Sequence, residues 1–144
     1  MADNRFTERD RQLFLAEPHV AALSVAAEGG RGPVTVPIWY QYEPGGEAWV
    51  LTGPTSRKAR LIEAAGRFSL MVDRVEPTVR YVSVEGPVTR TVPGTEALLR
   101  EMTERYLPPD KVEGYLKFAY EELGKHVAIY LRPERWLASD MGAM

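Results

Sequence analysis

Arg57, Lys58 and Arg60 stand at the start of a helix-forming stretch, residues 56–65 (SRKARLIEAA), directly behind a Gly53-Pro54-Thr55-Ser56 turn. This is the wrong end of a helix for cations. The N-terminus carries about half a positive charge, and each misplaced cation there costs a few tenths of a kcal/mol. An anion at that terminus removes the conflict, because free backbone N–H groups, a Thr55 or Ser56 hydroxyl and two or three cations then converge on it. The chemistry these residue types suit is phosphate binding. Spacing alone also allows a solvated basic turn. What favours the anion is the setting, a strand–loop–helix junction rich in Gly, Pro, Thr and Ser.

A second group of residues suits a flat ring and its polar edges. Trp39, Tyr40, Tyr42, Arg80 and Tyr81 combine aromatic faces with a guanidinium. Other chemistries lack their parts. The only histidines, His19 and His126, lie far apart in the chain, and there is no cysteine, so a metal or haem site is not expected. No Gly-x-Ser-x-Gly elbow and no Rossmann or P-loop glycine motif occurs. Tyr106, Tyr115, Phe118 and Tyr120 recur at helical spacing and read as packing.

The elements that must position these residues follow from periodicity and punctuation. Thr7 with Asp10 predicts a capped opening helix that Pro18 ends. Residues 19–27 form a short apolar strand closed by Gly29-Gly30. Residues 33–43 (PVTVPIWYQYE) form a β-branched and aromatic strand, in which Pro37 argues for an edge or a bulge. Pro44-Gly45-Gly46 turns it back into residues 47–52 (EAWVLT). The helix at 56–65 stops at Gly66. Residues 68–72 and 78–92 are further strands, the second interrupted at Gly86-Pro87 by a bulge or a barrel corner. Two helices, 95–107 and 109–123, precede a last strand at 127–131 and a short tail containing Trp136. About six strands in mainly sequential, antiparallel order favour a small barrel with flanking helices.

The chain has 144 residues, 44% of them apolar and 26% charged, which fits one folded domain spanning residues 1–144. Its net charge of −2 gives no global basic field for nucleic acid or anionic membranes. No apolar run approaches a membrane span, and the opening residues lack a signal-peptide pattern, so a cytoplasmic location is expected.

The run Leu51-Thr52-Gly53-Pro54-Thr55-Ser56-Arg57-Lys58-Ala59, with Ile62, Phe68-Ser69-Leu70 and Arg80-Tyr81-Val82-Ser83-Val84-Glu85-Gly86, resembles the pyridoxamine 5′-phosphate oxidase-like superfamily. The resemblance covers roughly residues 10–135. It implies a six-stranded antiparallel split β-barrel that binds FMN or the deazaflavin F420 between the two subunits of a homodimer. In that family the residues matching Arg57 and Lys58 hold the cofactor phosphate, with Ser56 beside them. The strand-end residue matching Thr52 lies beside the ring, the position of Tyr81 reaches the cofactor, and the strand carrying Trp39 and Tyr40 runs alongside; Arg80 is grouped with these. The vitamin B6 oxidases carry basic residues at both ends of a run where this chain has Thr35 and Tyr40. They also have a C-terminal extension that this sequence lacks. The resemblance is therefore to the short, divergent members rather than to a true pyridoxamine phosphate oxidase. Ser56-Arg57-Lys58-Ala59 is shared with FMN members, whereas the length and Trp39-Tyr40 resemble deazaflavin members. The implied activity is hydride transfer to or from a small organic molecule. The other readings are a non-catalytic module that binds or sequesters a flavin or tetrapyrrole, and a scaffold without a cofactor.

Overall fold

The computed structural model describes residues 6–143; the remainder of the expected 1–144 unit lies outside the described residues. Helix α1 (Glu8–Ala16) begins as the sequence predicts. Thr7 Oγ1 accepts from the Asp10 N–H at 3.0 Å, and the Asp10 carboxylate accepts from the Thr7 N–H at 3.2 Å. Strands β1 (Ala21–Val25), β2 (Val34–Ile38), β3 (Tyr40–Tyr42) and β4 (Ala48–Thr52) follow. Next come α2 (Arg57–Ala65), β5 (Arg67–Arg74) and the long β6 (Arg80–Pro93). Helices α3 (Glu96–Tyr106) and α4 (Pro109–Phe118) lead through a π-helical turn, Ala119–Leu123, to β7 (Val127–Leu131) and β8 (Arg135–Asp140).

All strand pairings are antiparallel, in the order β2-β1-β5-β6-β7-β4-β3, with β8 on the free edge of the first half of β6. β6 serves two sheets. Its first part pairs with β5 and β8, and after a register shift between Val88 and Arg90 its second part pairs with β7. The two ends of the ladder, β2 and β3, are consecutive in the chain and separated only by Trp39. The barrel therefore closes through a covalent hinge and not through a hydrogen-bonded pair. This is the expected mainly β, antiparallel split barrel with flanking helices, built from eight strands instead of about six.

The two extra strands have identifiable causes. Residues 33–43 read as one strand because the break falls at Trp39, past Pro37, which stays paired with Ala22 within β2 at the end of the strand order. β8 reads as a tail because it follows Pro133 and no residue along its length is fully buried. The expected interruption at Gly86-Pro87 is displaced: the β5–β6 ladder runs through both residues, and the irregularity falls at Val88–Arg90. The glycine is required for another reason. The link from β7 to β8 crosses beside it, with the Arg132 N–H donating to the Pro87 carbonyl at 3.0 Å. A Cβ at Gly86 would stand 1.8 Å from the Arg132 carbonyl oxygen. The last predicted helix is also shorter than 109–123, since α4 gives way at Ala119 to the π-helical turn that Gly124 ends.

Alternate residues of the strands fill the barrel. Leu23, Leu70, Val72, Val82, Val84, Val50 and Leu131 are fully buried there. Each such aliphatic side chain contributes roughly 1.5–3 kcal/mol of transfer free energy. The opposite face of β4 and β7 presents Trp49, Leu51, Ala128 and Tyr130 to α3 and α4.

Candidate functional site

β4 delivers Thr52 to the turn that starts α2. The Thr52 and Ser56 hydroxyls are 3.0 Å apart, and Ser56 Oγ accepts from the Ala59 N–H at 3.2 Å, so Ser56 is the N-cap. Helix α2 is held by burial of Ala59 and Ile62 and stopped by Gly66, whose φ of 73° is the left-handed conformation glycine adopts at no steric cost. Its first turn contains no acidic residue. Arg57 and Arg60 are exposed and Lys58 is half-buried. Among the described residues none of the three has an ion-pair partner. Three unpaired cations therefore face the positive end of a helix dipole beside a hydroxyl pair, an arrangement fit for a dianionic phosphate.

Trp39 occupies the hinge between β2 and β3. Its indole stacks on Tyr106 at 4.7 Å and 10°, with Tyr115 at 5.4 Å. The Tyr106 hydroxyl accepts from the Tyr40 N–H at 3.1 Å and lies 2.7 Å from the His19 carbonyl and 3.0 Å from the Tyr40 carbonyl. One side chain of α3 thus spans the seam of the barrel. Sequence spacing marks Tyr106 only as packing, because the partners it joins are far away along the chain.

Tyr40, expected alongside a ring, is directed into the core instead. Its side chain is 0% exposed, and its hydroxyl donates within 2.6 Å of the Leu15 carbonyl and 3.0 Å of the Glu17 carbonyl. Burial, with Tyr106 nearby, pushes its phenol well above the ordinary range. It offers no surface to a ligand. The guanidinium of Arg105 lies 4.9 Å from its ring and donates to the Ala16 and Glu17 carbonyls, closing the C-terminal end of α1.

Arg80 and Tyr81 lie elsewhere. Thr52 shares its sheet row with Val127 and Pro93, the last residue of β6, while Arg80 is the first. Arg80 Nε donates to Asp140 at 2.9 Å, and its guanidinium lies 5.3 Å from the Phe6 ring. Tyr81 alternates with buried Val82 and Val84 and so faces outward. The chain therefore brings Thr52, Ser56, Arg57 and Lys58 together, sets Trp39 at the hinge, and keeps Arg80 and Tyr81 at the far end of β6. Among the described residues no cluster of His, Asp and Glu could hold a metal ion, and no helix is long and apolar enough to cross a membrane.

Solved structures share this architecture. An F420 reductase superimposes with a TM-score of 0.69 at 23% identity, over 88% of this chain and 94% of the other. A conserved hypothetical protein of Mycobacterium tuberculosis gives a TM-score of 0.71 at 21% identity, over 97% and 88% of the two chains. A FAD-binding protein of Mesorhizobium loti gives 0.60 at 20% identity, over 94% and 93%. At these identities the likeness is one of fold. No curated protein matches the sequence. Residues 7–140 match the family model described as pyridoxamine 5′-phosphate oxidase, and the chain belongs to that family.

Proposed function

We propose that this protein is an oxidoreductase that binds a phosphorylated flavin or deazaflavin, FMN or F420, and uses it on a small organic molecule. The observation that carries the reading is the turn at α2, where Arg57, Lys58 and Arg60 have no ion-pair partner among the described residues and Ser56 caps the helix against Thr52. The donor set fits a phosphate: cations, a hydroxyl and the N–H groups of a helix start lie within one first turn that holds no acidic residue. Lys58 and Arg57 would hold the phosphate, Thr52 would fix the end of β4 beside the ring, and Trp39 would border it. When bound, the cofactor supplies hydride transfer, and the protein supplies orientation and a site shielded from water. A true pyridoxamine phosphate oxidase is not proposed, since Thr35 and Tyr40 stand where those enzymes carry basic residues.

A single-domain homodimer is part of this reading. Arg80 and Tyr81 lie at the far end of β6 from Thr52, and the outer face of the β5–β6–β8 sheet exposes Met71 and Leu137. A two-fold partner would cover that apolar face and lend its own outward-facing residues to the ring. A second reading, binding or sequestering without turnover, is favoured by one observation: residues 52–60 contain no Asp, Glu or His to move a proton. Turnover with a reduced cofactor separates the two.

The direct experiment is a quenching titration of Trp39, Trp49 and Trp136 with FMN, F420 and riboflavin. Micromolar or tighter binding of a phosphorylated cofactor, well above riboflavin, supports the reading. Absence of binding by all three removes it.

A further inference from the structure

A cleft of about 370 Å³ lies between β4 and the α3–α4 pair. It belongs to the face of β4 opposite Thr52, because Leu51 lines it and successive strand residues point to opposite sides. Trp39, Leu51, Leu99 and Met102 give it apolar walls, and Val20, 59% exposed, stands at its mouth. Leu51, Leu99 and His126 also border a second cleft of about 340 Å³ beneath the π-helical turn, so the space continues past the histidine.

Three polar groups of the lining have no hydrogen-bond partner among the described residues, the Tyr115 hydroxyl, the His126 ring and the Trp39 indole N–H. Among the other tyrosines the pattern differs from one to the next, and buried Tyr130 likewise has no hydrogen bond from its hydroxyl among the described residues. The hydroxyls of Tyr40, Tyr42 and Tyr106 are all engaged with backbone groups. Thr103, also in the lining, already donates to the Leu99 carbonyl at 2.7 Å. Tyr115 and His126 are half-buried, and burial pushes the Tyr115 phenol up. An apolar cleft with a few unspent polar groups is the profile of a small-molecule site, and its volume is at the lower end of the range for such sites.

We propose that this cleft binds a small, uncharged molecule with a flat apolar body and a hydroxyl or carbonyl oxygen that Tyr115 and His126 recognise. One or two fused rings match the volume. Charge is disfavoured because, among the described residues, His126 and the phenol of Tyr115 are the ionisable side chains that line this first cleft, Lys125 bordering only its continuation, and a desolvated carboxylate or ammonium needs a partner. Trp39 borders both this cleft and the hinge of the barrel. That the bound molecule is the substrate of a flavin or deazaflavin reaction rests on the function proposed above; that the cleft binds it does not.

Calorimetric titration of the cofactor-free protein with 2-naphthol tests the assignment, with 2-naphthoate as the charged comparison. Saturable binding of 2-naphthol is expected, with 2-naphthoate at least tenfold weaker. Tyr115→Phe removes a single oxygen and His126→Phe keeps an aromatic ring, and each should weaken 2-naphthol by roughly three- to tenfold. Met102→Trp should fill the cleft and abolish binding. Absence of saturable binding, equal binding of the naphthoate, or unchanged affinity in both single variants overturns the proposal. If 2-naphthol binds while FMN and F420 do not, the cleft stands and the cofactor reading falls; the reverse result removes the cleft alone.

Discussion

Thr52 and Ser56, the last residue of β4 and the N-cap of α2, are joined by a 3.0 Å hydrogen bond between their hydroxyls. The strand end and the helix start are thereby one rigid corner, and Arg57 and Lys58 take their positions from it. Ser56 carries two duties, capping Ala59 N–H and holding Thr52. Ser56→Ala should cost about 1 kcal/mol of stability, the usual loss for a cap. It should also weaken FMN or F420 more than Thr52→Val, which leaves the cap in place. Urea unfolding and cofactor titration of the two variants check both expectations.

The half-buried Lys58 has no carboxylate partner among the described residues, so its removal relieves no ion pair and leaves no orphan. Lys58→Ala should weaken FMN by about tenfold, on the scale of one charge-assisted hydrogen bond in a partly solvated site. Riboflavin, which lacks the phosphate, should bind variant and parent alike. Equal losses for both ligands would place Lys58 against the ring and not the phosphate.

At the seam, the Tyr106 hydroxyl accepts the Tyr40 N–H while its ring lies against Trp39. Tyr106→Phe keeps the stack and strands a buried donor. A loss of about 1–3 kcal/mol is expected in urea unfolding, with the slope of the transition unchanged.

Tyr40 imposes a pH dependence on stability. Its phenol is raised above 10.0 by burial, so the folded state retains a proton that the unfolded chain gives up near pH 10. Its contribution is complete below that pH and falls as pH rises beyond it. Stability measured from pH 8 to pH 11 should decline steeply in the parent. Tyr40→Phe should be less stable at pH 8, having lost the bonds to Leu15 and Glu17, and should show a shallower alkaline decline.

Gly86 meets the backbone of the β7–β8 crossing, which cannot move aside as a side chain would. Gly86→Ala should therefore be among the most damaging single substitutions in the chain, costing about 3 kcal/mol or more. Thermal melting, or failure to obtain folded protein, reads the effect; a melting temperature near that of the parent would contradict the close approach.

Local signals carried much of this architecture. Thr7 and Asp10, Ser56 and Gly66, and the apolar run of β7 each write their own boundary, because caps, left-handed glycines and short buried strands act within a few residues. The cation turn was legible for the same reason: it violates a local electrostatic rule. What sequence could not express was long-range. The break at Trp39 has no punctuation because it is imposed by the barrel's closure. Tyr40 and Trp39 are neighbours of similar character, yet one enters the core and the other meets α3. The importance of Tyr106 depends on His19 and Tyr40, and Gly86 is explained by Arg132, contacts that exist only once the fold is formed.

The closure at Trp39 has a mechanical consequence. Between β1 and β5, or β5 and β6, parting the wall breaks rows of backbone hydrogen bonds. Between β2 and β3 there is no ladder: the two strands are consecutive, joined through the backbone of Trp39, whose indole meets Tyr106 and Tyr115. One stretch of backbone there changes partners, from β1 before Trp39 to β4 after it, so this residue is a pivot between the two ends of the sheet order. The aromatic side chains gathered over that pivot, Trp39 and Tyr115, also border the cleft proposed to take a flat molecule.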